Sequence, residues 1–297
     1  MLSILIPIYQ ENCVNLVNDL VKQTKELSCD YEILVFDDCS PIKCEDNKAI
    51  AQFDKVDYRE LKENLGRSRI RNLLADEAKG DILIFLDGDS KIVRDDFLKR
   101  YLNEIETKDL VRGGTVYCEK SKCPKGYELH WKYGTLIEAN KGLKNKDMFT
   151  TNNFCIRKSV FSSIRFREDI KGYGHEDTLF KCDFEEIGFS FLNIDNPVEH
   201  LGLKKFEDFI SSNENAVINL RNIFLNLRNK KLNLRNKKII LRIKIVSVYN
   251  SLERLHLVGL YALFFKMTRR LMLSLLAKKN PSLFIFNLYK LGVFCNA

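Results

Sequence analysis

Two acidic residues separated by one glycine, Asp87 and Asp89, directly follow the apolar run "ILIFL". In an extended chain, residues i and i+2 point to the same side, so both carboxylates can face one point, and Gly88 lets a ligand approach the backbone. Mg²⁺ or Mn²⁺ binds through one or two carboxylates and takes its other ligands from water and phosphate oxygens. Asp-Gly is also a strong turn signal, so the segment alone leaves a metal site and an acidic turn open.

Two other acidic pairs lie where chemistry could take place. Asp37 and Asp38 end the strand-like run "YEILVFDD". Glu176 and Asp177 lie in "GYGHEDTLF", where Gly172 and Gly174 permit a tight turn, and apolar residues at helical spacing follow. Asp177 is therefore expected in the first turn of a helix. An acid in that position also complements the helix dipole without any role in catalysis.

The single histidine of "NPVEHLG", His200, follows the strand-like segment "FSFLNI". A neutral imidazole is a suitable ligand for Mn²⁺, although a lone histidine is more often structural or exposed.

The elements that position these residues alternate in the first part of the chain. Short apolar runs separated by helical patterns predict a doubly wound α/β layer with a largely parallel sheet; the strand runs are "LSILIPIY", "YEILVFDD", "KVDYREL" and "DILIFLD". In such sheets the ligand crevice lies beyond the carboxyl ends of the strands, where two of the acidic pairs occur. A GxGxxG segment after the first strand and a GxxxxGK[ST] segment are both absent, so the usual dinucleotide fold and the P-loop are not supported.

The charge divides the chain into two parts. The whole chain carries a net charge of +8. Its length of 297 residues and its hydrophobic share of 45% predict a substantial folded core. Residues 204–297 carry 18 Lys and Arg against 4 Asp and Glu, and residues 1–203 carry 30 against 36, which gives +14 and −6. We therefore expect a catalytic domain over residues 1–203 and a basic helical region over residues 204–297.

The basic region mixes Lys and Arg with Leu, Ile and Phe, and its longest unbroken apolar run, "LVGLYALFF", is far shorter than the roughly 20 residues that span a bilayer. Amphipathic helices of this composition suit an anionic membrane surface, and a helical bundle with a solvated basic face is the alternative. Nucleic acid is not expected as a partner, because no nucleic-acid-binding module is recognisable. The start "MLSILIPIYQ" has no basic segment before its apolar residues, so we expect a cytoplasmic protein, peripheral on the cytoplasmic face of the membrane.

Four segments in order resemble glycosyltransferase family 2, whose members are inverting enzymes with the A-type fold. The segments are "SILIPIYQEN", "YEILVFDDCSP", "ENLGRSRIRNLLADEAKGDILIFLDGDS" and "GYGHEDTLF", and together they extend over roughly 200 residues. The last one also resembles the "G-[WY]-G-x-E-D" segment of β-1,4-galactosyltransferases. One departure is Cys39, which stands where glycine is common in "DDGS".

The resemblance implies a metal-dependent transfer of a hexosyl or N-acetylhexosaminyl group from a UDP-linked donor to a glycan or lipid-linked acceptor, as in polysaccharide biosynthesis. It implies that Mn²⁺ or Mg²⁺ is the cofactor, held by Asp89, Asp87 and His200. The residues that it implies for donor binding are Pro7, Tyr9, Asp37, Asp38, Arg71 and Asp87.

In the resemblance Asp177 takes the role of catalytic base and Glu176 that of an acceptor-binding residue. Trp131, the only tryptophan, precedes this segment, and its ring can stack on an acceptor sugar or pack in the core.

Two other functions remain open: a non-catalytic basic protein that binds membrane or RNA, and a nucleotidyltransferase on a similar sheet. The latter lacks the glycine- and lysine-rich N-terminal signature expected of sugar nucleotidyltransferases.

Overall fold

A computed structural model describes residues 1–139, 149–168, 174–229 and 237–297. The chain divides into two compact units. The first contains residues 1–118, 137–168 and 188–202, and the second contains residues 119–136, 169–187 and 203–297. The domain boundary expected at residues 203 and 204 stays a prediction.

The first unit is built on a seven-stranded sheet with the strand order β3-β2-β1-β4-β8-β6-β9 and a three-stranded sheet with the order β5-β10-β7. The strands are β1 (Leu2–Ile8), β2 (Tyr31–Asp37), β3 (Val56–Glu60), β4 (Ile82–Leu86), β5 (Ser90–Ile92), β6 (Leu110–Arg112), β7 (Thr115–Val116), β8 (Asn153–Arg157), β9 (Phe191–Asn193) and β10 (Val198–His200). The helices of this unit are α1 (Val14–Thr24), α2 (Arg67–Glu77), α3 (Phe97–Ile105) and α5 (Lys158–Ile164), with a 3₁₀ helix over Glu45–Gln52.

The mostly parallel sheet expected from the sequence is confirmed. Strand β1 pairs in parallel with β2 and β4, and β2 pairs in parallel with β3. The apolar run of β4 is buried from Leu83 to Leu86, as a central strand covered on both faces requires. The antiparallel pairing of β8 with β4 and β6 was not foreseen, because a short apolar run does not reveal the direction of its strand.

Parallel pairing brings the carboxyl ends of three strands to one edge of the sheet. Ile8 at the end of β1 lies opposite Asp37 at the end of β2, and Leu5 lies opposite Phe85 in β4. The acidic pairs that follow β2 and β4 therefore occur at the same edge as Tyr9.

The second unit is helical in its described residues. Its helices are α4 (Glu128–Tyr133), α6 (Glu176–Ile187), α7 (Phe206–Arg228), α8 (Lys237–Arg242), α9 (Lys244–Arg254), α10 (Val258–Leu276) and α11 (Leu283–Asn296). Apolar side chains of α6 to α9 and α11 form one cluster, and those of α4, α7, α10 and α11 form another. None of the described helices has the length and apolar character needed to cross a membrane.

Helix α6 buries most of the apolar face that the sequence predicts after Asp177. Leu179, Phe180 and Phe184 of α6 are buried as expected, but Ile187 is 49% exposed, because the helix ends there and Gly188 turns the chain away at a φ of 78°. The seven-residue repeat "LNLRNKK" begins in the last turns of α7, and residues 230–236 lie outside the described residues.

Candidate active site

A cleft of about 80 Å³ opens at the sheet edge where β1 and β4 end. It is lined by Pro7, Ile8, Tyr9, Glu11, Asp38, Arg67, Ile70, Arg71, Asp87 and Asp89. Six of these residues were predicted from the sequence. Ligand pockets usually measure roughly 300–1,000 Å³, so a cleft of this size encloses only part of a ligand as large as a nucleotide.

Asp87 is paired with Arg71, which projects from α2. The Nη2 atom of Arg71 donates a hydrogen bond of 2.5 Å to Asp87 Oδ1, and the Arg71 side chain is only 4% exposed. Its Nη1 atom donates to the backbone oxygen of Arg67, whereas its buried Nε atom has no hydrogen-bond partner among the described residues. The Arg71 guanidinium therefore orients the Asp87 carboxylate at the cleft.

Asp89 is instead in contact with His200. Strand β10 pairs antiparallel with β5, so that His200 lies opposite Ser90, and His200 Nδ1 is 3.3 Å from Asp89 Oδ2. Gly202 makes this approach possible, since a Cβ atom built there would overlap Asp89 Oδ2 and lie 3.1 Å from His200 Cε1. Both side chains are about 20% exposed, so the pair is open to a ligand.

The charges around His200 favour its protonated form. Burial lowers the pKa of His200, but the hydrogen bond with Asp89 and the charges of Asp89, Glu138 and Asp87 outweigh it, so the pKa is raised overall. Glu138, in a π-helical segment over Gly134–Ala139, accepts a hydrogen bond from the Tyr117 hydroxyl, and the Tyr117 ring packs edge-on against His200 at 5.4 Å. The site thus has excess negative charge that a cation would neutralise.

Sequence reasoning missed Glu11, whose carboxylate lines the cleft with those of Asp38, Asp87 and Asp89. Burial first, and then the charges of Asp89 and Asp87, raise its pKa from 4.5 to about 8. The Glu11 carboxylate lies close to the backbone of Gly88, between the two aspartates. A Cβ atom built on Gly88 would be 2.7 Å from Glu11 Oε2, so a larger residue there would collide with the carboxylate. No strand alternation could have identified Glu11, because β1 ends at Ile8 and the chain turns at Gln10, which has a φ of 60°.

The earlier acidic pair shapes the neighbouring loop. Asp37 Oδ1 accepts a hydrogen bond of 2.7 Å from the Ser40 amide, and the two carboxylate oxygens of Asp38 accept from the amides of Leu65 and Gly66 at 2.6 and 2.9 Å. Burial raises the pKa of Asp38 despite these bonds. Asp38 lines the cleft, whereas Asp37 is not among its lining residues.

Cys39, the residue after this pair, has a φ of 57°. This left-handed conformation favours glycine, which accounts physically for the expectation of glycine there.

The remaining predicted residues belong to the second unit. Glu176 and Asp177 occupy the first turn of α6 as expected, and Asp177 Oδ1 accepts a hydrogen bond of 2.7 Å from the Thr178 amide. Gly174 has a φ of 87°, and its carbonyl oxygen accepts from Asn219 of α7 at 2.6 Å, which fixes the start of the helix. Trp131 lies in α4 and is partly buried. Gly172 lies outside the described residues.

Whether a divalent cation can bind here depends on the ligand atoms that the first unit supplies. The described residues contain no group of three or more His, Cys, Asp and Glu side chains arranged to hold a metal ion. Two protein ligands are nevertheless sufficient for a cation that takes its other ligands from phosphate and water. Asp89 and His200 supply a carboxylate and an imidazole in contact with each other, and Asp87 is already paired with Arg71. The donor set therefore fits Mn²⁺, with Asp89 better placed than Asp87.

Two solved structures share this architecture. A mannosyltransferase from Pyrobaculum calidifontis, PcManGT, in complex with GDP-Man and Mn²⁺, matches with a TM-score of 0.54 and 15% identity over 75% of this chain and 64% of its own. TarS from S. aureus matches with a TM-score of 0.52 and 17% identity over 82% of this chain and 43% of its own. The chain thus spans less than two thirds of the length of either. At these identities the likeness shows the fold, which is that of the A-type glycosyltransferases.

The sequence itself places the chain within that class. The family model for glycosyl transferase family 2 matches residues 3–165, which is more than half of the 297 residues. No curated protein matches the sequence. The protein belongs to glycosyltransferase family 2.

Proposed function

We propose that this protein is a metal-dependent inverting glycosyltransferase that moves a hexosyl or N-acetylhexosaminyl group from a UDP-linked donor to a hydroxyl of a glycan or lipid-linked acceptor. The observation that carries the proposal is the cleft at the ends of β1 and β4. It brings the Arg71–Asp87 pair together with Asp89, which contacts His200. The nucleotide sugar and Mn²⁺ named with the mannosyltransferase structure support this reading of the site.

The residues in and beside the cleft take three proposed roles. Asp89 and His200 would hold the cation, which, when bound, supplies positive charge to the diphosphate leaving group. Arg71 orients Asp87, which is then set to accept hydrogen bonds from donor hydroxyls. Pro7 and Tyr9 line the nucleoside side together with Asp38, and Asp37 holds the loop that follows β2.

Asp177 is proposed as the base that takes the proton from the attacking acceptor hydroxyl, and one displacement then inverts the anomeric centre. This role rests on the resemblance of "GYGHED" to the corresponding segment of β-1,4-galactosyltransferases. Glu176 and Trp131 are proposed to bind the acceptor. An aspartate carboxylate is ordinarily ionised at neutral pH and can therefore accept a proton directly.

The test is to incubate the purified protein with UDP- and GDP-linked sugars and varied glycan and lipid acceptors, with Mn²⁺ or with chelator, and to follow nucleotide release. We expect Mn²⁺-dependent release of nucleoside diphosphate with one donor class. Release of pyrophosphate instead would identify a nucleotidyltransferase. No metal-dependent turnover with any donor would contradict the enzyme assignment.

The base is tested by Asp177→Asn, with Asp183→Asn on the same helix as the matched control. We expect Asp177→Asn to abolish transfer but to keep nucleotide binding, because the amide retains the shape of the side chain and cannot take the proton. Asp183→Asn should retain transfer. Near-normal turnover of Asp177→Asn would show that another group is the base.

A further inference from the structure

One face of α10 is both apolar and exposed. Leu260, Leu263, Phe264, Met267 and Leu271 are exposed by 64, 56, 46, 78 and 61%. Their spacing of three and four residues places them in one row along a helix of 3.6 residues per turn. We call these five residues the α10 stripe. Soluble proteins rarely expose a contiguous apolar patch of this kind unless it contacts a partner.

The opposite face of α10 is the one that packs in the fold. Phe265, Met272 and Leu276 are buried in a cluster that includes residues of α11, and the Phe265 ring lies directly against the backbone of Gly292. Arg269 also points to this side, where its Nη2 atom donates to Glu214 of α7 at 2.9 Å. The α10 stripe is therefore not required for the packing of its own helix.

The charged residues of α10 itself are all basic. Lys266 and Arg270 are exposed and lie along one border of the stripe, and the exposed Lys278 and Lys279 follow the end of the helix. Residues 254–297 contain seven Lys and Arg and no Asp or Glu. An apolar face with a basic border is the pattern of helices that lie in the interface of an anionic membrane.

Segments next to α10 in the chain also expose apolar side chains. Leu255 and Leu257 in the turn before α10 are 65 and 39% exposed, and Phe284 in the first turn of α11 is 71% exposed. The face that α10 presents to solvent is thus apolar with charges at its edge, which differs from a bundle with a solvated basic face.

We propose that the α10 stripe lies in the surface of a membrane that contains anionic lipids, with its apolar side chains among the acyl chains and Lys266 and Arg270 at the level of the phosphates. The absence of acids over residues 254–297 selects an anionic lipid surface rather than a second copy of the chain, which would bring two basic borders together. This docking keeps the protein at the surface on which a lipid-linked acceptor would be found.

The experiment is co-sedimentation of the full chain with vesicles of phosphatidylcholine alone or with 30% phosphatidylglycerol, at 50 mM and 500 mM salt. It needs neither donor nor metal ion, so its outcome is independent of the proposed enzymatic function. We expect binding to the anionic vesicles that weakens at high salt, because surface charges are then screened. Failure to bind anionic vesicles at low salt would overturn the proposal.

Two double variants separate the apolar from the electrostatic contribution. Leu263→Gln with Met267→Gln should reduce the partition coefficient at least tenfold at both salt concentrations. Lys266→Gln with Arg270→Gln should reduce it about 25-fold at low salt, or about fivefold for each basic residue, and much less at high salt. Ile218→Gln in α7, where the isoleucine is 42% exposed, is the matched control and should bind as the wild type does.

The oligomeric state provides the opposing outcome. If the wild type forms a dimer by light scattering, and the double variant in the stripe becomes monomeric with unchanged vesicle binding, the stripe contacts a second copy and the membrane proposal is wrong. Thermal unfolding of each variant, measured alongside, tests whether the substitutions leave the fold intact.

Discussion

Replacement of Gly202 by alanine tests whether the Asp89–His200 contact is the centre of the proposed cation site. A Cβ atom at this position would overlap Asp89 Oδ2, and it would lie 2.9 Å from Asp89 Cγ and 3.1 Å from His200 Cε1. Gly202 is not among the glycines with positive φ, so its backbone conformation accepts alanine. The effect of the methyl group should therefore come from displacement of the carboxylate rather than from backbone strain.

The expected size follows from that displacement. Ordinary van der Waals contact requires Asp89 Oδ2 to move by about 1.5 Å, and a misplacement of about 1 Å in a site can already reduce the rate about 100-fold. Metal–ligand distances tolerate only about 0.2 Å, so Mn²⁺ affinity should also fall, by about 10- to 100-fold. The free energy of unfolding should fall by about 1–3 kcal/mol, as for other overpacked sites.

The assays are Mn²⁺ titration by calorimetry in the presence of nucleoside diphosphate, donor turnover, and thermal unfolding. Gly259→Ala is the matched control, since a Cβ atom built on Gly259 has no neighbour within 4 Å. If Gly202→Ala bound Mn²⁺ and turned over within twofold of Gly259→Ala, Asp89 would not be the carboxylate on which the cation depends.

Three further predictions concern the residues around the cleft. Glu11 has a pKa of about 8 in the folded protein against 4.5 ordinarily. Its contribution to the free energy of unfolding is therefore complete below pH 4.5 and is lost as the pH rises to 8. Glu11→Gln should make the thermal stability of the metal-free protein less dependent on pH between 5 and 8. Arg71→Lys should raise the KM for the donor at least tenfold in steady-state kinetics, because lysine cannot reproduce the guanidinium contacts with Asp87 and the Arg67 carbonyl. Tyr117→Phe should lower Mn²⁺ affinity about tenfold in the same titration, because Glu138 loses the hydroxyl that orients it near His200.

Each of the three predictions has a result that would contradict it. An unchanged pH profile for Glu11→Gln would mean that the carboxyl is already ionised at neutral pH in the folded protein. A normal KM for Arg71→Lys would mean that the Asp87 pair does not bear on the donor. A loss of Mn²⁺ affinity in Tyr117→Phe accompanied by more than about 1.5 kcal/mol of lost stability would point to a packing defect instead.

The fold around β1, β2 and β4 could be predicted because its signals are local. A fully apolar run marks a strand buried on both faces, and alternation of strands with helices marks a parallel sheet. Parallel strands end at one edge, so the meeting of Asp38 with Asp87 and Asp89 at one cleft followed without knowledge of any contact. The first-turn position of Asp177 followed equally from the helical spacing after it.

The tertiary structure decided which partner each of these side chains has. The contact of His200 with Asp89 depends on antiparallel pairing between β5 and β10, which are more than 100 residues apart in the chain. Neither short segment reveals this pairing, and only the family resemblance placed the two residues at one cation. The raised pKa of Glu11 depends on its burial beside Asp87 and Asp89, because the interaction energy of charges is set by distance and solvent exclusion rather than by sequence position.

For the C-terminal helices, too, the sequence and the tertiary structure determined different properties. The sequence by itself determined that residues 204–297 are basic and rich in apolar side chains. Only the packing of α10 against α11 decided that Phe265 and Met272 are buried while Leu263 and Met267 are exposed. The physical reason is that α10 has apolar side chains around most of its circumference, so its composition does not specify a buried face, and the neighbouring helix selects one.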